Sequence, residues 1–371
     1  MSTHKLLLAA VIPTLLTTAT TLIPAPAAAA HAARPSPTAE PTARDAIGRT
    51  TATDIARIPA ATDPARSPAV HHPSGTNSDR RRTAAGPARN PAATDSAPRQ
   101  AVAAASCPAV IAHKTGGSHA PENTAPGVGV GKSLGAGTVE IDIRFNKSNF
   151  AFAMHDEDVA RTTNGTGRVQ DLWMPDLQKL SAADYAPWKT DSRYGGFNPD
   201  GTPKVRPPYT YEILDAAKKA GVKLLLDVKV TPTRAQADSF VGYLDRSEFR
   251  MRDRVIWMAN SEAGLRTMRG WYPDLTYYLL ERPASGYMRT GDSLKAMGAV
   301  AYAVPIGEVR SAAYVDYYHS YGLKVSTWTT DDVALDVPAN WSKARSYGVD
   351  AVTTDRPDEA LTQQGGTACT G

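Results

Sequence analysis

Three times after residue 200 the chain repeats one unit: an amphipathic run, a glycine, then a short string of valine or leucine. Tyr211 to Ala220 runs into Gly221, Tyr314 to Tyr321 into Gly322, and Trp341 to Tyr347 into Gly348. Apolar residues at helical spacing followed by glycine read as a helix with its left-handed stop. A strand placed directly after each helix must run parallel to its predecessor, because a helix carries the chain back between them. The repeat therefore predicts an α/β protein of parallel strands with covering helices.

Eight strand-like segments fit that pattern. They lie near Val110–Ala112, Thr138–Phe145, Lys223–Val230, Val255–Met258, Thr276–Leu280, Ala299–Val304, Val325–Trp328 and Ala351–Thr354. Eight strands favour a closed (β/α)8 TIM barrel over an open doubly wound sheet, and no Gly-x-Gly-x-x-Gly turn supports a dinucleotide fold. Two segments depart from plain alternation. Phe150–Met154 reads as an extra strand pairing back on Asp142–Arg144 through a turn at Lys147–Asn149. Asp176–Tyr209 is long, aperiodic and rich in proline, glycine and aromatics, the signature of a lid or a substrate-shaping insertion.

The barrel occupies residues 106–371, and the rest of the chain reads differently. Residues 1–33 have a weakly basic start, an apolar core at Leu6–Leu16 and several Ala-x-Ala sites, which is the layout of a cleavable signal peptide. The apolar part is short for a membrane span and broken by Pro13. Residues 34–105 are rich in Ala, Pro, Thr and Arg and lack large apolar residues, so they are expected to be a disordered linker. The whole chain has a formal net charge of +4, but the residues before Ser106 carry +5 and the barrel itself about −1. The barrel thus has no nucleic-acid footprint, and no stable membrane insertion is expected. The basic linker, with Arg80–Arg82, could touch an anionic envelope. The two cysteines, Cys107 and Cys369, bracket the barrel, and in an exported protein they are expected to form a disulfide joining its ends.

Charge inside the strands points to chemistry. Glu140 and Asp142 share one face of Val139–Ile143, and Asp227 and Lys229 share one face of Leu224–Lys229. Such charges are costly inside apolar strands unless they are paired. A solvent-facing edge would explain either strand alone, but two histidines at strand ends, His113 and His155, favour a common site. Three carboxylates suit one hard divalent cation, Ca²⁺ or Mg²⁺. Histidines beside it suit acid–base work on a phosphate ester.

An ordered set of motifs carries this further. It comprises His113-Lys114, Pro121-Glu122-Asn123-Thr124, Glu140-x-Asp142, His155-Asp156, Arg161 to Gly167, Asp227-x-Lys229, Trp328-Thr329 and Gly348 to Pro357. At these positions the chain resembles the glycerophosphodiester phosphodiesterase family. The resemblance implies a metal-dependent barrel enzyme that splits glycerophosphodiesters into an alcohol and glycerol 3-phosphate. It implies Glu140, Asp142 and Asp227 as metal ligands, His113 and His155 as general base and acid, and Lys229 offsetting charge on the phosphoryl oxygens. The substrate is then a small molecule, bound in part by Lys114 and Trp328.

Three positions depart from the family pattern. Lys114 stands where arginine is usual and is followed by Thr115-Gly116-Gly117-Ser118, so the bidentate grip on phosphate is lost. Asp227 is one methylene shorter than the usual glutamate. Thr330-Asp331 replaces Val-Asn and sets a negative charge near the mouth. Glu122 fits either a metal ligand or a fixer of the first loop, Asn123 such a fixer, and Asp156 either an orienter of His155 or a partner of local backbone. Trp328 fits either the pocket wall or rim packing. Two other functions share the barrel: a phospholipase D-like enzyme on intact lipid, needing an apolar rim from Trp188–Tyr211, and a non-catalytic envelope-binding barrel.

Overall fold

The computed structural model describes residues 107–246, 248–284 and 287–365. The signal-peptide and linker readings lie outside these residues, as does Cys369.

Nine strands form one sheet: β1 Ala109–Ala112, β2 Thr138–Phe145, β3 Ala151–Ala153, β4 Lys223–Val228, β5 Val255–Ala259, β6 Thr276–Leu280, β7 Ala301–Pro305, β8 Lys324–Trp328 and β9 Ala351–Thr354. Eight are parallel neighbours in the order β1-β9-β8-β7-β6-β5-β4-β2, and β1 also pairs with β2, which closes the barrel. The ninth, β3, is the extra strand. It pairs antiparallel with β2, Ile143 opposite Ala153 and Phe145 opposite Ala151, one position further along β2 than the sequence reading placed it. The shift follows from a wider turn, closed by Asn146 accepting at its side chain from the backbone N–H groups of Ser148 and Phe150.

The three predicted helices are present at Thr210–Ala220, Ala312–Ser320 and Pro338–Tyr347. Gly221, Gly322 and Gly348 follow them with φ of 70°, 69° and 80°. Helices fill the outer ring, and strand residues alternate between two cores. Val139, Ile141, Ile143, Leu224, Leu226 and Val228 face the helices in the large outer core. Ile111, Leu225, Met258, Tyr278, Ala301, Ala303, Trp328 and Ala351 form a smaller inner cluster. The residues between those outward-facing ones on β2 and β4 are Glu140, Asp142, Leu225 and Asp227. Alternation alone therefore sends the carboxylates into the barrel.

The insertion is more organised than its sequence suggests. Ala182, Ala183, Trp188, Tyr194 and Val205 form a separate small core, with Trp188 and Tyr194 only 8% and 9% exposed. Of the aromatic residues proposed for a lipid-facing rim, Trp188 and Tyr194 are spent on the insertion's own packing, whereas Phe197 and Tyr211 stay exposed. Among the described residues no helix is long and apolar enough to cross a membrane.

Candidate active site

Parallel register sets Asp142 directly opposite Asp227, and Glu140 lies two residues earlier on the same face of β2. One carboxylate oxygen from each of the three lies within 4.8 Å of the others, and all three residues are buried. Like charges this close repel strongly at low dielectric. Lys229 answers part of that charge, its Nζ standing 2.7 Å from Asp142 Oδ1 and 2.6 Å from Asp227 Oδ2. One ammonium against three carboxylates still leaves the cluster short of positive charge.

Each carboxylate is aimed by a neighbour. The Asn123 side chain clamps Asp142 at both ends, donating to Oδ2 at 2.7 Å and accepting from the Asp142 N–H at 2.9 Å. Glu140 accepts from the Lys114 backbone N–H at 2.7 Å. Asp227 accepts from the Asn260 side chain at 2.9 Å. The loop after β1 bends hard to deliver these contacts. Lys114, Thr115 and Asn123 all have positive φ, at 47°, 79° and 57°. For a β-branched residue such as Thr115 this is a strained conformation, held by its N–H bond to the Glu140 carbonyl at 2.7 Å. At Gly117, φ 58°, a Cβ would sit 2.4 Å from the Asp355 carbonyl oxygen, so the Gly-Gly step lets this loop pack on the end of β9.

The two histidines flank the cluster, each backed by an acid. His113 Nδ1 is 2.8 Å from Asp355 Oδ1, and His155 Nδ1 is 2.8 Å from Asp156 Oδ1. Asp156 in turn pairs with Arg161, which also holds Glu122 through contacts of 2.5 and 3.0 Å. His113, Lys114, Glu140, His155, Asp227, Lys229 and Trp328 line one cavity of about 280 Å³ at the C-terminal end of the strands. Small inward residues on the opposite wall, Ala303, Ser326 and Thr353, leave that space open.

The profile of the glycerophosphoryl diester phosphodiesterase family matches residues 113–359. The chain belongs to this family. The glycerophosphodiester phosphodiesterase of Caldanaerobacter subterraneus subsp. tengcongensis is 25% identical over 258 residues, spanning 68% of this chain and 96% of that one. That of Bacillus subtilis is 25% identical over 259 residues, 67% and 83% of the two chains. A solved Oleispira antarctica phosphodiesterase in complex with the product sn-glycerol-3-phosphate aligns with a TM-score of 0.58 at 20% identity, over 69% of this chain and 96% of that one. At that identity the likeness speaks for the shared barrel.

In this glycerophosphodiester phosphodiesterase barrel, charge balance sets the protonation of the site. Burial, and then the adjacent Asp142, push the Glu140 carboxyl up to about 8. Burial acts the same way on Asp142, but Lys229, His155 and Lys114 outweigh it and hold Asp142 well below the usual carboxylate range. Burial opposes a charged His113, yet the Asp355 hydrogen bond and Glu140 raise it above the usual 6.5. The cluster therefore holds a proton or invites a cation. Its donors fit a cation: three buried carboxylates converge, one oxygen of each within 4.8 Å of the others.

The structure brings together Glu140, Asp142 and Asp227, the three acids the sequence reading grouped, and sets the other singled-out residues around them. Glu122 stands outside the carboxylate trio; it pairs with Arg161 and, at 3.5 Å, with Lys114, and its backbone N–H donates to the Tyr185 hydroxyl. That makes it a fixer of the first loop. Asp156 orients His155, and Trp328, 8% exposed, does line the cavity. No insertion residue lines that cavity; the insertion meets the first loop through the Tyr185 hydroxyl, which accepts from the Glu122 N–H.

Sequence reasoning missed Asp355, Asp336, Asn260 and Arg282. Asp355 follows directly on β9, and the rule that found His113 applies equally to it. Asp336 is buried and accepts from Thr329, Thr354, the Trp341 indole and, at 2.8 Å, the Asp355 backbone N–H. It fastens the loop after β8 to the residue that orients His113.

Proposed function

We propose that this protein hydrolyses glycerophosphodiesters to an alcohol and glycerol 3-phosphate, with Glu140, Asp142 and Asp227 holding a divalent cation, Ca²⁺ or Mg²⁺. The observation that carries this is the convergence, in one cavity, of a buried carboxylate trio and two acid-backed histidines. A cation bound there would polarise the phosphodiester and offset charge building on its oxygens.

The chain's own groups supply the rest. Each histidine spends Nδ1 on its aspartate, which leaves Nε2 for substrate. His113, whose pKa is raised, takes the proton of the attacking glycerol hydroxyl as general base. His155 returns a proton to the departing alkoxide as general acid. The cyclic phosphate so formed is opened by water with the roles reversed. Lys114 and Lys229 face the phosphoryl oxygens, and preorganised charge of this kind is the largest contribution expected.

Export fits the same reading. The apolar Leu6–Leu16 run before Ala-x-Ala sites supports a cleaved signal, and Cys107 with Cys369 supports a disulfide across the barrel ends. The substrates would then be extracellular head-group diesters or polymers of similar linkage.

The test is glycerol 3-phosphate release by the purified full chain from glycerophosphocholine and glycerophosphoinositol, with Ca²⁺, Mg²⁺ or a chelator, beside His155→Ala. Release that needs a cation and disappears in the variant supports the proposal. Absence of release from every diester, under any cation, overturns it.

A further inference from the structure

Beyond the cation cluster, the cavity wall carries one more built feature. Arg282, from the segment after β6, lies over the Trp328 ring at 5.1 Å from its centroid. Its guanidinium Nη atoms are both paired with the Asp331 carboxylate, Nη2 to Oδ1 at 2.7 Å. All three residues line the cavity. They sit among Met258, Leu280 and Ala303, on the part of the wall that the carboxylates, lysines and histidines leave to the organic arms of a diester.

An aromatic face beside a carboxylate is the chemistry that recognises a quaternary ammonium group. Here that place is filled by the chain's own cation. A choline-type alcohol must displace Arg282 before it can use Trp328 and Asp331. An oxygen-rich alcohol need not, because the Arg282 side chain is 62% exposed and among the described residues its Nε–H has no acceptor. That group can donate to a polyol hydroxyl or a second phosphate while its Nη atoms stay on Asp331.

We infer that Arg282, seated on Trp328 and held by Asp331, sets the alcohol specificity of this site, favouring neutral or anionic polyol alcohols over quaternary ammonium ones. The inference rests on the phosphodiesterase reading for its kinetics, though not for its binding test. Asp331 stands at one of the positions where the chain departs from its family's pattern, and the ion pair explains why a negative charge is tolerated there: Arg282 neutralises it.

The kinetic test compares kcat/KM for glycerophosphoinositol and glycerophosphocholine in the wild type, Arg282→Ala and Arg282→Gln. The wild type is expected to prefer the inositol diester. Both variants should shift the ratio toward choline by about tenfold, the scale of one pocket contact, with KM for the choline diester falling. A calorimetric titration with choline alone needs no turnover. Choline should bind Arg282→Ala more tightly than wild type, and Arg282→Ala/Asp331→Asn should lose that gain. Equal changes for both diesters, or choline affinity unmoved in Arg282→Ala, would overturn the inference. If no diester is cleaved at all, the functional reading falls and the choline titration still decides this one.

Discussion

Across the mouth of the barrel, β1, β2 and β4 carry carboxylates, a lysine and a histidine on or next to the strands, whereas β7, β8 and β9 present alanine, serine, threonine and one tryptophan. On the first side nearly every polar atom has a fixed partner: Asn123 on Asp142, the Lys114 N–H on Glu140, Asn260 on Asp227. On the second side the main charged feature is the Arg282–Asp331 pair, and its arginine is largely exposed. Groups that must meet developing charge within fractions of an ångström are built into a hydrogen-bonded sheet. Groups that must admit different alcohols hang from loops over a wall of small side chains. The proposed chemistry thus sits on the rigid side, and the proposed recognition on the adjustable one.

The largest effect should come from the rigid side. His155→Ala is expected to lower kcat by about 10³-fold, the range of lost general acid catalysis. The ring is 41% exposed, so thermal unfolding should show little change in stability. A loss of activity that merely tracks unfolding would blur the contrast between chemistry and scaffold.

Asn123→Ala removes the clamp on Asp142 without touching a carboxylate. Cation affinity should fall by about 10-fold or more, measured by calorimetry, because groups that orient ligands matter nearly as much as the ligands. Unchanged affinity would mean that the strand alone positions Asp142.

A subtler test uses Asp336→Asn. The new amide oxygen can still accept from Thr329, Thr354 and Trp341, all of which reach Asp336 Oδ1, but an NH₂ group then faces the Asp355 N–H. Asp355 raises the pKa of His113, so its misalignment should let burial lower that pKa. The acid limb of the kcat/KM profile should move to lower pH while kcat falls several-fold. A drop in stability with an unmoved pH profile would reduce Asp336 to scaffolding.

The smallest effect is expected in the insertion. Phe197 is 46% exposed and is absent from the cavity wall. Phe197→Ser should leave kcat/KM for soluble diesters unchanged and shift stability by no more than about 0.5 kcal/mol.

Much of the rigid side was legible in the sequence, since a strand's two-residue period states which side chains share a face. Glu140, Asp142, Asp227 and Lys229 follow from that rule, and the glycine-stopped helices fix the parallel topology around them. The supports were harder to read. Asp355 meets His113, and Asp336 meets Asp355, only because the loops after β8 and β9 fold together with the one after β1. Tyr185 reaches Glu122 from an insertion without periodicity. Arg282 finds Trp328 across the mouth, a contact set by loop conformation. Local pattern gives the face of a strand; it does not say which loops converge above it.

The buried trio is proposed as a cation centre in which a proton competes with metal. The most direct measurement is equilibrium titration of the full chain with Ca²⁺ and Mg²⁺ at pH 6 and pH 8.5, beside Asp142→Asn. With Glu140 raised to about 8, a cation must displace a proton at the lower pH, so binding should be weaker at pH 6. One cation per chain is expected, bound more tightly at pH 8.5 and lost or greatly weakened in Asp142→Asn. Binding that is absent at both pH values, or that survives Asp142→Asn unchanged, would contradict it.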